Sequence, residues 1–455
     1  MIRLAFSELR DGWRSWSGAL IVVIVASALL GACAIVASTW LSVRGDASRP
    51  PGVADVLAQL SIMVTGFTGV TAVVVLSSVA AVAVQSDRAR YARWQLVGIT
   101  PVGVRVVLSV ELISLGVIGG AVGLVVASTL SQPIIELVVR AIVAASGPVA
   151  PVTASVSPAL LTVAGAVVLL VVFVSGFSPA HRASRISPLE ALRAPEAPPR
   201  AMSVARWVLA ALFLLLTVVL LATTFGNSPD IISLNTIFAC ITASATIAAA
   251  GPLILPPVMR LWPRILPDRM STPWFLARTG AAHRLLYSAS SVTPLLVGMT
   301  LVGSIFSAAY TQRNAMLANG VPVERMSLAN DQVIIMLGGP LLLAVVGAAA
   351  VIFQGASERR AAATIFWRSG VSPATIVGAA ALEAVIAVGT ALILALVVIV
   401  AIVSIESLAL VGPVGPSLPT VEFPALLGLA AVGLIVLALS SVLPVIRTAR
   451  GALVR

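Results

Sequence analysis

Lysine is absent from this 455-residue chain: all 28 basic residues are arginine. That excludes a G-x-x-x-x-G-K-[ST] phosphate loop, whose lysine holds the phosphates, and any Schiff-base chemistry. Charge of either sign is scarce, at 10% of residues, where a soluble domain carries about 25%. There are two cysteines, Cys33 and Cys240, and two histidines, His181 and His283. The cysteines lie in separate apolar runs, make no C-x-x-C site and read as small membrane-embedded residues. The histidines each stand beside an arginine and far from each other, a poor donor set for a metal. No H-E-x-x-H motif and no nucleophile–base pair stands out, so the chain does not read as an enzyme.

What is abundant is apolar sequence. Hydrophobic residues make up 59% of the chain and the mean hydropathy is +1.09. A chain this apolar cannot cover itself with polar surface, so lipid is its expected solvent. Ten segments supply the roughly 20 apolar residues that a span needs: 18–41, 58–84, 104–130, 157–178, 205–225, 231–258, 288–310, 332–355, 375–404 and 424–446. Each is expected to be a helix, because lipid offers the backbone no hydrogen-bond partner. The first run is longer than the apolar core of a signal peptide and reads as a retained span. The expected fold is therefore all-α and polytopic, with ten transmembrane helices.

The net charge of +11 does not read as nucleic-acid binding, because the arginines form short clusters between apolar runs. With both termini cytoplasmic, only Arg44, Arg49, Arg140, Arg313 and Arg325 face outward, and the other 23 lie on the inner side. The positive-inside rule favours that orientation. The outer loops are short. The one near 131–156 contains Glu136 and Arg140, and reads as an amphipathic helix on the outer surface.

The inner loops repeat. Ser86-Asp87-Arg88 returns as Ser357-Glu358-Arg359, and Gly98-Ile99-Thr100-Pro101 returns as Gly370-Val371-Ser372-Pro373. A tryptophan precedes each glycine, Trp94 and Trp367, and an acid follows each proline by ten residues, Glu111 and Glu383. Each half closes alike, Pro179 to Arg185 against Pro444 to Arg450. The chain thus divides into a four-span unit at 1–193, a two-span connector at 194–266 and a second four-span unit at 267–455. Both units have the same orientation, which makes them parallel repeats.

The repeated loop is the leading candidate site. Its first copy offers Arg88, Arg90, Arg93, Trp94, Leu96 and Gly98; its second offers Glu358, Arg359, Arg360, Ile365, Phe366, Trp367, Arg368 and Gly370. Each stretch suits a short amphipathic helix stopped by its glycine. Thr100 or Ser372 then caps the next helix, with proline in its first turn. An exposed aromatic and arginine face suits docking of a partner; the competing reading is a helix anchored on lipid headgroups. Glu111 and Glu383 are acids inside predicted spans, at most ~15 Å beyond the proline at 1.5 Å per residue. Such acids suggest function or a structural tie near the inner leaflet. Gly116, Gly119, Gly120 and Gly123 form overlapping G-x-x-x-G patterns suited to close helix packing. Pro252, Pro256 and Pro257 are expected to end or kink the sixth span.

At these residues the sequence resembles the FtsX-like, MacB-type permeases of ABC transporters. That family's loop runs roughly E-R-R-R-E-x-A-x-L-R-A-L-G-A-[ST] before a helix with an early Glu, as Glu358 to Ser372 does here. Its four-span units end in Pro-x-x-R-A-[AS]-R-x-x-P-x-E-A-L-R, which Pro179 to Arg193 matches closely. The resemblance covers both four-span halves. It implies a permease subunit of an ATP-driven exporter or extractor of an amphipathic substrate, an antimicrobial peptide or a lipid-like molecule. Two inner-loop helices would couple it to a separate cytosolic ATPase, two copies per chain. The chain itself would need no cofactor, with ATP and Mg bound by the ATPase. The implied location is the bacterial cytoplasmic membrane, with both termini cytoplasmic. The large outer domains of some relatives have no counterpart in loops as short as 42–57 and 311–331. The alternative within the family is a mechanotransmission protein that transports nothing and relays ATP-driven motion to an extracytoplasmic partner. An ion-coupled transporter is a further alternative, disfavoured by the scarcity of intramembrane charge.

Overall fold

The computed structural model describes residues 13–44, 53–86, 88–143, 152–183, 204–267, 271–283, 285–320, 330–355 and 363–453. Among them every regular element is helical. In chain order these are α1 (Trp13–Val43), α2 (Val53–Ser86), α3 (Arg88–Leu96), α4 (Pro101–Thr129), α5 (Ser131–Val143), α6 (Pro158–Ala183), α7 (Val204–Ala222), α8 (Pro229–Ala249), α9 (Gly251–Leu261), α10 (Thr272–His283), α11 (Leu285–Ala318), α12 (Asn330–Gln354), α13 (Pro373–Leu410) and α14 (Phe423–Leu453). A 3₁₀ turn, Trp262–Ile265, follows α9, and residues 363–368 are helical.

Eight of these helices, α1, α2, α4, α8, α11, α12, α13 and α14, contain stretches long and apolar enough to cross a membrane. The protein is an all-α, multi-pass membrane protein. The segments read as fourth and fifth spans are helical too, but their apolar stretches, Pro158–Phe173 and Arg206–Ala222, are shorter. The sixth predicted span is broken: α8 ends at Ala249, and α9 starts one residue later with Pro252 in its first turn. Proline lacks the N–H that would continue the ladder, so the break falls at Pro252, whereas Pro256 and Pro257 lie inside α9.

The chain packs as two compact units, residues 1–188 with 327–346 and residues 189–326 with 347–455. In the first, α1 lies against α2, α4 and α6, and α6 also touches α2 and α4. Glycine lets α1 and α4 approach closely. A Cβ on Gly123 would overlap Ser27 Oγ and the backbone of Ile24 and Ala28, and one on Gly119 would fall 2.7 Å from Val23. The Ser27 hydroxyl, 3.0 Å from the Gly119 carbonyl, bridges the two helices. Gly116 faces Leu169 of α6, whereas Gly120 faces open space. Of the overlapping small-residue patterns, Gly119-x-x-x-Gly123 is thus the one that packs against α1.

The amphipathic helix expected near Glu136 is α5. Ile135 and Val138 bury against Ile35 and Val43 of α1, while Glu136 and Arg140 stay exposed. Gln132 of α5 holds the following strand-like segment, accepting from Ala154 N at 2.9 Å.

In the second unit α11 packs most extensively on α13, and α14 lies against both. The core around them includes Leu296, Met299, Ala391, Ala395, Ile399 and Leu426. Helix α8 packs against α11, α13 and α7, and α10 against α13. Trp262, just past α9, reaches Thr390 of α13 with its indole N–H, at 2.9 Å.

The two units use equivalent pairs. α1–α4 in the first corresponds to α11–α13 in the second, α4–α6 to α13–α14, and α1–α6 to α11–α14. The correspondence holds at single residues, with Gly31 and Gly303, Ala127 and Ile399, and Thr39 and Thr311 each 272 positions apart. Gly31 of α1 faces Ala127 of α4, and Gly303 of α11 faces Ile399 of α13. Thr39 Oγ1 accepts the N–H of Ser155, three residues before α6, at 3.1 Å. Thr311 Oγ1 accepts the N–H of Thr420, three residues before α14, at 3.0 Å.

Candidate functional site

The first copy of the repeated loop is built on a helix stop. α3 is short, and Gly98 ends it with φ +96°, a conformation glycine adopts without a Cβ penalty. Ile99 N–H donates to Trp94 O at 3.0 Å, and Gly98 N–H to Gln95 O at 3.1 Å. This is the Schellman pattern, which satisfies the orphan carbonyls of the last turn. Thr100 then caps α4, its hydroxyl oxygen accepting from Gly103 N at 3.2 Å, with Pro101 in the first turn.

The second unit repeats the device. Gly370 has φ +84°. Val371 N–H donates to Phe366 O at 3.1 Å and Gly370 N–H to Trp367 O at 3.0 Å. Ser372 caps α13, accepting from Thr375 N at 3.2 Å, with Pro373 next. The register this sets differs from the one the tryptophans suggest. Counted back from the glycine, Trp94 corresponds to Phe366, and Trp367 to Gln95.

The side chains split into an anchor and an exposed face. Tyr91, at the foot of α3, is buried, and its counterpart Ala363 buries against Ile376 and Ala380 of α13. The Arg90 guanidinium lies 5.7 Å from the ring centres of both Tyr91 and Trp94, within cation–π range. Tyr91 and Trp94 meet edge to face with centroids 5.5 Å apart. Arg93 and Leu96 are exposed, as is Val97, at 85%. In the second copy Ile365, Phe366, Trp367 and Arg368 are exposed. Arg88 belongs to α3, but its side chain lies outside the described residues, as do Glu358, Arg359 and Arg360.

Sequence reasoning missed Tyr91 as the anchor and Val97 as the most exposed apolar residue of the turn. Tyr91 falls three residues before Trp94, so the helical period places the two on one face. That signal was present but outweighed by the arginines.

The two acids sit in their own bundles, Glu111 buried and Glu383 half-buried. Glu111 of α4 is fully buried. Glu383 of α13 lines a small cavity with Ser291, Ile352, Ala387, Leu437 and Ser441. Gly280 of α10 makes room for it: a Cβ there would fall 2.6 Å from Glu383 Oε1. The structure thus keeps both carboxyls inside helix contacts. Among the described residues, no group of three or more His, Cys, Asp or Glu is placed to hold a metal ion.

Neither a protein-family model nor a curated protein sequence matches the chain.

Proposed function

We propose that the chain is the permease subunit of an ATP-driven exporter or extractor of an amphipathic substrate, of the FtsX-like, MacB-type class. In this reading it has ten spans in a bacterial cytoplasmic membrane, with α6 and α7 completing the set and both termini on the cytoplasmic side. The observation that carries the proposal is the doubled loop. Two copies of one device, a short exposed helix, a Schellman turn, a hydroxyl cap and a proline-started apolar helix, stand 272 residues apart.

The turn matters mechanically. Beyond the glycine of each hydrogen-bonded cap only two residues, Ile99-Thr100 or Val371-Ser372, remain before the next helix. A push on the short helix is then delivered to the long one rather than absorbed by slack chain. Tyr91 or Ala363 seats the short helix, and Leu96, Val97, Ile365, Phe366 and Trp367 are left to meet a partner. That partner is a cytosolic ATPase, which binds ATP and Mg and supplies the work. One chain offers two such surfaces and so accommodates two ATPase copies.

The test replaces exposed residues rather than anchors. Leu96→Asp together with Ile365→Asp should leave the Tm of the purified permease near that of the parent. It should also abolish ATPase co-assembly and lower substrate-stimulated turnover at least tenfold. Unchanged assembly and turnover would show that these helices do not dock the ATPase.

A further inference from the structure

Three helices of the second unit are joined by a buried line of polar side chains. Gln312 of α11 donates its amide N–H to Asp230 Oδ1, in the first turn of α8, at 3.2 Å. Gln312 Oε1 lies 2.7 Å from Ser233 Oγ of α8. Ser233 Oγ in turn lies 2.8 Å from Glu406 Oε1 of α13. Ser233, Gln312 and Glu406 are all buried, Glu406 completely.

Counting protons decides what this line is. Three contacts need three hydrogens. The Gln312 amide nitrogen serves one of its two contacts, since the oxygen end makes the other. The serine hydroxyl supplies a second. Turning the amide over exchanges which contact the nitrogen serves and leaves the total unchanged. The third hydrogen must sit on a carboxyl.

Asp230 is the poorer holder. It is exposed and lies in the first turn of α8, where the helix dipole favours an anion. Glu406 Oε2 is buried with no hydrogen-bond partner among the described residues. As a carboxylate, Glu406 would leave a charged oxygen bare in an apolar setting, at high cost. As an acid, its Oε1–H donates to Ser233 and Oε2 is a neutral carbonyl oxygen. The spacing also does not suit a calcium-sized cation shared by these oxygens. Oxygens of separate groups around a cation at about 2.3–2.6 Å stand roughly 3 Å or more apart, whereas 2.7 and 2.8 Å are hydrogen-bond distances.

We propose that Glu406 is a buried proton-binding site: its proton ties α13 to Ser233 of α8 and, through Gln312, to α11. The other titratable and charged groups on the packed elements are few. α8 brings Asp230 and Cys240. α11 brings half-buried Tyr310 and exposed Arg313, and the segment before α14 brings Glu422. The part of α7 that packs nearby contributes Leu220 and Leu221. No described arginine is buried beside Glu406 to take the proton's place as its partner.

Infrared difference spectra of the full-length chain in lipid nanodiscs, recorded across a rise in pH, test this. A protonated-carboxyl band present at neutral pH should disappear in Glu406→Gln and persist in Asp230→Asn. The amide of Glu406→Gln can donate to Ser233 as the acid does. Its Tm should therefore match the parent at about pH 4, where an ordinary glutamic acid is itself protonated, and lack the parent's fall as pH rises from there. Should that variant fail to assemble, Ser233→Ala removes the hydroxyl that accepts from Glu406 and must shift the band. A band untouched by Glu406→Gln, removed instead by Asp230→Asn, or unmoved in Ser233→Ala overturns the assignment.

Discussion

Glycine at 123 and glycine at 120 differ by less than one helical turn, yet they have opposite surroundings. At Gly123 an added Cβ meets the backbone of Ile24 and Ala28, at Gly120 it meets nothing within 4 Å. Backbone cannot rotate aside as a side chain can, so Gly123→Ala must push α1 and α4 apart. Overpacking of this kind costs about 1–3 kcal/mol. Gly123→Ala is expected to lower the Tm of the purified chain by several degrees, and Gly120→Ala to leave it unchanged or slightly raised. Equal effects at the two sites would contradict the packing described for α1 and α4. The G-x-x-x-G spacing was legible in the sequence, but which of the overlapping patterns faces α1 was not. That depends on the rotation of α4 about its axis, which a helix apolar on every side does not encode in its periodicity.

Among the elements, the turns were more legible than the helices they join. Gly, Thr or Ser, and Pro each have a local reason to be where they are, and both glycine stops, both caps and both proline starts occur as read. The outer ties were not legible. Thr39 and Thr311 are two among many hydroxyl residues in apolar helices, and most such hydroxyls bond only to their own backbone. Only the fold brings Ser155 and Thr420 to them. Replacing Thr39 or Thr311 with the isosteric valine leaves a backbone N–H without its partner and is expected to cost about 1–3 kcal/mol. Hydrogen exchange at Ser155 or Thr420 should rise in the matching variant, and in that one alone. Exchange unchanged in both would show that these threonines do not hold the entries to α6 and α14. The tryptophans misled at this scale. Trp94 and Trp367 look equivalent by residue type, whereas the hydrogen bonds of the two turns pair Trp94 with Phe366. Backbone geometry, not side-chain identity, sets the register.

For the whole molecule, the composition alone excluded a soluble fold, and the chain is all-α with eight helices apolar and long enough to span. The remaining two segments are apolar helices whose qualifying stretches are shorter, so their status as spans rests on the arginine pattern and the repeat. The internal duplication is the central feature. It recurs in the helix pairs, in the glycine contacts of α1 and α11, in the threonine ties and in the inner turns. On the function proposed above, a duplicated turn means a duplicated partner. Native mass spectrometry of the chain, gently purified from its own membrane, measures directly whether an ATPase travels with it. The account predicts two copies of one ABC-type ATPase per chain, falling to one when only Leu96→Asp or only Ile365→Asp is present. A permease that retains no ATPase, even after crosslinking in intact cells, would contradict it.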